Sequence, residues 1–186
     1  HFAPATGSAT ITPDEIIFEA GHIQRASAPI QGPHNAMNMS AAILAATSAG
    51  ATWEDITKHL PSFQNAPHRL EPCGLWNGIQ FINDSKATNV DAVYYALNSF
   101  NKPIILIIGG VDKGNEYAVL DTLVKDKVKG MVCLGTDNTK LVNHFGQRID
   151  HFAQTDQLET AISQAMAWAN EGDIIMLSPA CASFDL

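Results

Sequence analysis

The run Ile104 to Ile108, "IILII", closed by Gly109-Gly110, constrains this chain more than any other stretch. A strand with one wet face alternates apolar and polar residues, so five apolar residues in a row require cover on both faces. "DIIMLSP" (173–179) repeats the pattern. Shorter apolar runs, "IQFIND" (79–84) before them and "KGMVCLG" (129–135) and "RIDHFAQ" (148–154) between them, alternate regularly with amphipathic stretches. Those stretches are "VDAVYYALNSF" (90–100), "EYAVLDTLVKD" (116–126), "TKLVNHFG" (139–146) and "LETAISQAMAWANEG" (158–172). Strand and helix signals alternating in this way predict an α/β domain with a doubly wound, mostly parallel, Rossmann-like sheet.

The first third of the chain reads differently. "TITPDEIIFEAGHIQRA" (10–26) has the look of short strands joined by turns, and "GPHNAMNMSAAILAATSAGA" (32–51) that of a turn and a helix stopped by Gly50. "TWEDITKHL" (52–60) predicts a second helix, with Thr52 as N-cap and Asp55 at the third helical position. "PSFQNAPHRLEP" (61–72), with three prolines, reads as a linker and divides the chain into residues 1–66 and 67–186.

With 46% hydrophobic and 16% charged residues, the chain can bury a real core. No apolar run approaches the length of a membrane span, and no signal peptide opens the sequence. The net charge of −8, with 11 scattered Lys and Arg residues, argues against nucleic acid, whose affinity comes from neutralising phosphates. It leaves room for a small anion. One ammonium about 4 Å from a carboxylate contributes roughly 4 kcal/mol at an effective dielectric near 20, and diffuse surface charge is screened. Cys73, Cys133 and Cys181 are odd in number and have no metal-ligand spacing, so free thiols in a reducing cytoplasm are expected. Cys73 and Cys133 are expected to be small buried apolar residues.

Ligands of open parallel sheets sit beyond the carboxyl ends of the strands. Three junctions there are rich in chemistry: Asn83 to Thr88 ("NDSKAT"), Gly109 to Gly114 ("GGVDKG") and Ser178 to Ser183 ("SPACAS"). The first is longer than a turn needs. Thr88 is expected to cap the following helix, with Asp91 completing a capping box, but Asp84 and Lys86 then have no local duty. Lysines, hydroxyls and close-approaching glycine backbone suit an anion with more than one carboxylate. For any single loop, a solvated lysine and a tight turn explain the residues equally well. In the upstream helix, Asn38 sits where asparagine has poor propensity, which invites a polar partner. Arg69 could pair with Glu71, or meet Asp84 and Asn38 around a nucleotide's base and ribose. No GxxxxGK[ST] phosphate loop occurs in the sequence.

"GPHNAMN", "HRLE", "NDSKATN", "GGVDKG" and "LSPACASFD" together resemble the C-terminal part of the Mur ligase family, and within it the members that add D-glutamate. "NDSKATN" and "SPACASFD" are the specific ones. The resemblance implies that residues 1–66 are the end of a central α/β ATPase domain. Residues 67–186 would be a C-terminal Rossmann-like domain that brings the amino acid, itself shortened at its end. It implies ATP and Mg²⁺ as cofactors, with the phosphate loop and metal ligands before His1 and no metal site in this stretch. It assigns Asn38, Arg69 and Asp84 to the surroundings of adenine and ribose. It assigns Lys86, Thr88, Lys113, Ser183 and Phe184 to D-glutamate. Spacing around the lysine of "VDK" varies in the family, which makes Lys113 the looser match.

The implied reaction joins D-glutamate to UDP-N-acetylmuramoyl-L-alanine through an acyl phosphate, in peptidoglycan precursor synthesis. A cytoplasmic monomer is implied, with small molecules as its partners and this stretch inactive by itself. Folylpolyglutamate synthetase-like ligases share the fold and also add glutamate. A non-catalytic module that holds a small anion is the other reading of the same loops.

Overall fold

The computed structural model describes residues 7–30 and 32–182. The chain divides into two compact units, residues 1–65 and 66–186.

In the first unit, β1 (Ala9–Ile11), β2 (Glu15–Phe18) and β3 (Gly21–Gln24) form a three-stranded antiparallel sheet. Helix α1 (Pro33–Ser48) begins with proline, whose missing N–H would be unpaired there anyway. It ends before Gly50, whose φ of 103° suits a helix stop. Its buried residues Ala36, Met39 and Ile43 recur at three- and four-residue spacing. They pack with Ile16, Phe18 and Ile23 of the sheet and Ile56 of α2 (Trp53–His59). The Thr52 and Asp55 capping box forms as expected: Asp55 N–H donates to Thr52 Oγ1 at 3.1 Å, and Thr52 N–H to Asp55 Oδ2 at 3.0 Å.

The second unit is built on a six-stranded sheet. In chain order it comprises β4 (Glu71–Trp76), β5 (Ile79–Asn83), α3 (Val90–Asn98), β6 (Ile104–Gly109), α4 (Asp121–Lys127), β7 (Val128–Leu134), α5 (Thr139–Phe145), β8 (His151–Thr155), α6 (Leu158–Trp168) and β9 (Ile174–Ala180). A 3-10 turn, Tyr117–Leu120, leads into α4. The spatial order is β4-β5-β9-β6-β7-β8, with β4 antiparallel to β5 and the remaining pairings parallel.

The apolar run of β6 is explained by its position. Ile104, Leu106 and Ile108 join a core with Val93, Leu97, Val124 and Phe145 from α3, α4 and α5. Ile105 and Ile107 face the other way, into a core with Ala161 and Ala165 of α6. All six residues of β6 are buried. Each such side chain contributes about 1.5–3 kcal/mol on burial, so one polar residue here would cost more than any local preference could return.

Two expectations need correction. Part of the proposed linker is a strand: β4 begins at Glu71 and turns into β5 through Asn77-Gly78. Both turn residues have positive φ, 48° and 74°, as a two-residue hairpin with right-handed strand twist requires. Cys73 is consequently exposed rather than buried, because β4 is an edge strand with one neighbour. Cys133, inside β7, is buried as expected.

Candidate functional site

The sheet order decides which loops meet. Because β9 lies between β5 and β6, the three polar junctions leave from three adjacent strands, at a place where the strand order reverses.

The junction after β5 is tied on both sides. Ala180 N–H donates to the Ala87 carbonyl at 2.8 Å, and Asp84 N–H to the Leu177 carbonyl at 2.8 Å. Asp84 is buried, with Oδ2 accepting the Ser178 hydroxyl at 2.8 Å and Oδ1 accepting Leu70 N–H at 3.1 Å. Burial raises its pKa above the ordinary carboxylate range, although Ser178, Leu70 and the Arg69 charge each pull the other way. The residues before β4 lie along this junction: Lys86 N–H donates to the His68 carbonyl at 3.1 Å, and Asn83 Nδ2 is 2.9 Å from His68 Nδ1. His68 and Leu70 both take left-handed φ, 66° and 46°. That conformation costs non-glycine residues about 1–2 kcal/mol each, and it is held by the bonds on either side of Arg69.

Thr88 does not cap α3, contrary to expectation. Asn89 does, with Oδ1 accepting Ala92 N–H at 2.8 Å. The bond from Thr88 N–H to the Lys86 carbonyl (2.9 Å) and the tie between Ala87 and Ala180 hold the junction outside the helix, so the helix starts one residue later. Thr88 is exposed and has no helix-capping duty.

After β6 the backbone approaches its neighbours closely. Gly109 and Gly110 both have φ of 133°. A Cβ on Gly109 would overlap the Leu134 carbonyl oxygen, and one on Gly110 would lie 2.7 Å from that of Ala182. Val111 N–H donates to the Ala182 carbonyl at 3.1 Å. Asp112 closes the next turn: its Oδ1 accepts Gly114 N–H at 2.7 Å and Asn115 N–H at 3.1 Å, and its Oδ2 accepts the Tyr117 hydroxyl at 2.8 Å. Those bonds, with the Lys140 ammonium 3.6 Å away, hold the Asp112 carboxyl below its usual pKa despite partial burial.

The exit of β9 carries a bulge, since Ile107 pairs with Leu177 but Gly109 with Ala180. Ala180 takes a left-handed φ of 61° and is fully buried, bonded through its N–H to Ala87 and through its carbonyl to Asn115 Nδ2 at 3.0 Å. Backbone strain fixed from several sides in this way is common at binding sites.

The structure thus gathers Arg69, Asp84, Lys86, Thr88 and Lys113 on segments bonded to one another. Lys86 and Lys113 are exposed and, among the described residues, enter no ion pair. Ser183 and Phe184 lie outside the described residues. Asn38 belongs to the first unit. It is exposed on α1, with Nδ2 3.5 Å from Asn35 Oδ1, and borders an open apolar groove of about 400 Å³ lined by Ile30, Met39, Ile43 and Leu60. Sequence reasoning names Ser178 as part of a polar junction but not its bond to Asp84, and it misses Asn115 and Tyr117; all three hold the loops together. The signal for Ser178 was its position at the end of a fully apolar strand. Asn115 and Tyr117 followed a lysine loop that had already drawn attention.

A doubly wound sheet with this clustered edge matches the Mur ligase glutamate ligase domain over residues 68–181. The chain belongs to the Mur ligase family. It is 49% identical over 158 residues to a UDP-N-acetylmuramoylalanine–D-glutamate ligase of Cytophaga hutchinsonii, covering 85% of this chain and 35% of that protein. It is 42% identical over 168 residues to the Bacteroides fragilis ligase of the same name, covering 90% of this chain and 38% of that protein. The chain therefore spans about a third of the length of these relatives. In fold it is similar to MurF of Acinetobacter baumannii, with a TM-score of 0.66 at 20% identity over 93% of this chain and 41% of that one. It is equally similar to E. coli FolC in complex with ADP, with a TM-score of 0.66 at 19% identity over 94% of this chain and 43% of that one.

Proposed function

We propose that this chain is the D-glutamate-binding part of a UDP-N-acetylmuramoyl-L-alanine:D-glutamate ligase, acting in the cytoplasm in peptidoglycan precursor synthesis. The observation that carries the reading is the insertion of β9 between β5 and β6, which makes neighbours of the loops bearing Lys86, Thr88 and Lys113. The identity to D-glutamate ligases supports this assignment over a folylpolyglutamate synthetase-like one, for which the likeness is one of fold alone.

In this reading Lys86 and Lys113 pair with the two carboxylates of D-glutamate, Thr88 and Ser183 donate hydrogen bonds, and Phe184 adds a wall. Held by its carboxylates, the amino acid keeps its amine free to attack an acyl phosphate of the UDP substrate. The C–N bond forms first, giving a tetrahedral intermediate that loses a proton from nitrogen and expels phosphate as its C–O bond breaks. Fixing amine against acyl carbon can remove up to about 7–11 kcal/mol from the barrier. Asn38, Arg69 and Asp84 are the residues that the resemblance assigns to the adenine and ribose of ATP. In this reading magnesium is held by residues of the full-length ligase outside this stretch. Magnesium, when bound, offsets charge on the transferred phosphoryl group. No helix among the described residues is long and apolar enough to cross a membrane.

The test is ATP-dependent phosphate release by the full-length ligase carrying Lys86→Ala. Loss of one close carboxylate partner is expected to raise KM for D-glutamate by about a hundredfold or more. An unchanged D-glutamate dependence would remove Lys86 from the site.

A further inference from the structure

We infer that Asn115 and Tyr117, braced by Asp112, are positioning residues that set the Lys113 loop and the exit of β9, itself bonded to the junction that carries Lys86 and Thr88, at a fixed separation, and so tune affinity for the dianionic amino acid. The inference rests on the functional reading above and extends it to three residues that touch no substrate.

Lys113 lies inside a turn whose ends are locked. Asp112 Oδ1 accepts both Gly114 N–H and Asn115 N–H, and Gly114 takes a φ of 88° that few side-chain-bearing residues could adopt. The backbone on both sides of Lys113 is thereby fixed. The same cluster reaches the other strand. Asn115 Nδ2 donates to the Ala180 carbonyl at 3.0 Å and lies 3.3 Å from both Cys181 Sγ and the Tyr117 hydroxyl oxygen. That hydroxyl donates to Asp112 Oδ2 at 2.8 Å and is 3.4 Å from Cys181 Sγ. A third tie, Val111 N–H to the Ala182 carbonyl, ends one residue before Ser183.

One hub therefore joins the two loops. Tyr117 and Cys181 are each 2% exposed, while Asp112 and Asn115 are half-buried, so removing a bond on the buried side leaves a partner that water cannot readily satisfy. The geometry could not act through the sheet alone, because both loops lie beyond the last ladder pairing of β6 with β9, Gly109 with Ala180.

Charge follows the same plan. An unbalanced Asp112 would repel a dicarboxylate from the loop that binds it. Lys140 Nζ lies 3.6 Å from Asp112 Oδ1 and 5.8 Å from the centre of the Tyr117 ring. Lys140 thus offsets the Asp112 carboxylate, which does structural work.

A merely structural hub and a positioning hub differ in what their loss does. The former lowers stability and disturbs every substrate alike. The latter weakens D-glutamate selectively. The experiment is steady-state phosphate release by the full-length ligase as wild type, Tyr117→Phe, Asn115→Ala, Asp112→Asn, Asp112→Ala and Lys86→Ala, titrating each of the three substrates. Tyr117→Phe keeps the ring against Phe145 (centroids 5.9 Å apart) and removes only the hydroxyl, so it remains folded. We expect KM for D-glutamate to rise about three- to tenfold in Tyr117→Phe and Asn115→Ala, the range that one lost hydrogen bond produces. The kcat and the KM values for ATP and the UDP substrate should stay within about twofold. Asp112→Asn, which retains an oxygen for the two backbone donors, should recover most of what Asp112→Ala loses. The inference is overturned if Tyr117→Phe leaves the D-glutamate KM unchanged, or if all three KM values rise together, while Lys86→Ala still weakens D-glutamate. A wild-type enzyme that does not use D-glutamate would instead overturn the functional reading itself.

Discussion

Replacing Ser178 with alanine should destabilise the second unit, and by an amount that depends on pH in a definite direction. The Ser178 hydroxyl is fully buried and donates to Asp84 Oδ2 at 2.8 Å, inside a carboxylate that is 6% exposed. A hydrogen bond to a charged, buried group contributes about 1.5–3 kcal/mol, and its loss here leaves the carboxylate with Leu70 N–H, which donates to the other oxygen. Burial already raises the Asp84 pKa above its unfolded value near 3.8, and the Ser178 bond is one of the influences holding it down. An acid with a raised folded pKa binds more protons folded than unfolded, so stability falls as pH rises from the unfolded value through the folded one. Removing Ser178 raises the folded pKa further and deepens that fall. Ser178→Ala should therefore cost about 1.5–3 kcal/mol at pH 7, roughly 5–12 °C in unfolding midpoint for a unit of this size. The deficit should shrink once the pH drops below the carboxylate range and Asp84 is protonated in both states. Asp84→Asn combined with Ser178→Ala should abolish the pH dependence. Thermal and urea unfolding by circular dichroism at several pH values provides the measurement. A deficit below about 0.5 kcal/mol at pH 7, within the ordinary scatter of surface substitutions, or one of the same size in acid, would refute the assignment of a charged latch.

Two further outcomes test the local reading. Asn89→Ala should cost about 0.5–2 kcal/mol through loss of the α3 cap, whereas Thr88→Ala should leave the unfolding midpoint unchanged; the reverse ranking would restore Thr88 as the cap. Gly109→Ala combines overlap with the Leu134 carbonyl and a φ of 133°. It should cost several kcal/mol, well beyond the roughly 1 kcal/mol typical of a point change, and be visible as loss of soluble, cooperatively unfolding protein.

The parts of the fold governed by burial could be read from residue order. Six buried positions in β6 leave no room for polar side chains, so "IILII" announces a strand covered on both faces. The Thr52 and Asp55 cap was legible for the opposite reason, since its partners are three residues apart. Strand order was not legible. Nothing within "DIIMLSP" says that it enters between β5 and β6, because that depends on which gap two flanking apolar strands leave open. The Asn77-Gly78 hairpin carries a strong turn dipeptide, but the prolines before it draw the first two residues of its leading strand, Glu71 and Pro72, into a linker. At the site, residue types suggested Lys86, Thr88 and Lys113. The residues that hold their loops, Ser178, Asn115 and Tyr117, act across separations of up to 94 positions, which no local pattern records.

The central place of β9 also has a consequence for the order in which the molecule is completed. Its seven residues are the last strand among the described residues, yet they form the seam between two halves of the sheet. During synthesis the earlier strands must wait with two apolar flanks exposed, because β5 and β6 share no ladder of their own. Such long-range closure is slow and leaves the nascent polypeptide open to misassociation. When the seam closes, it brings the polar loops together in the same event, so completion of the sheet and assembly of the pocket edge are one step.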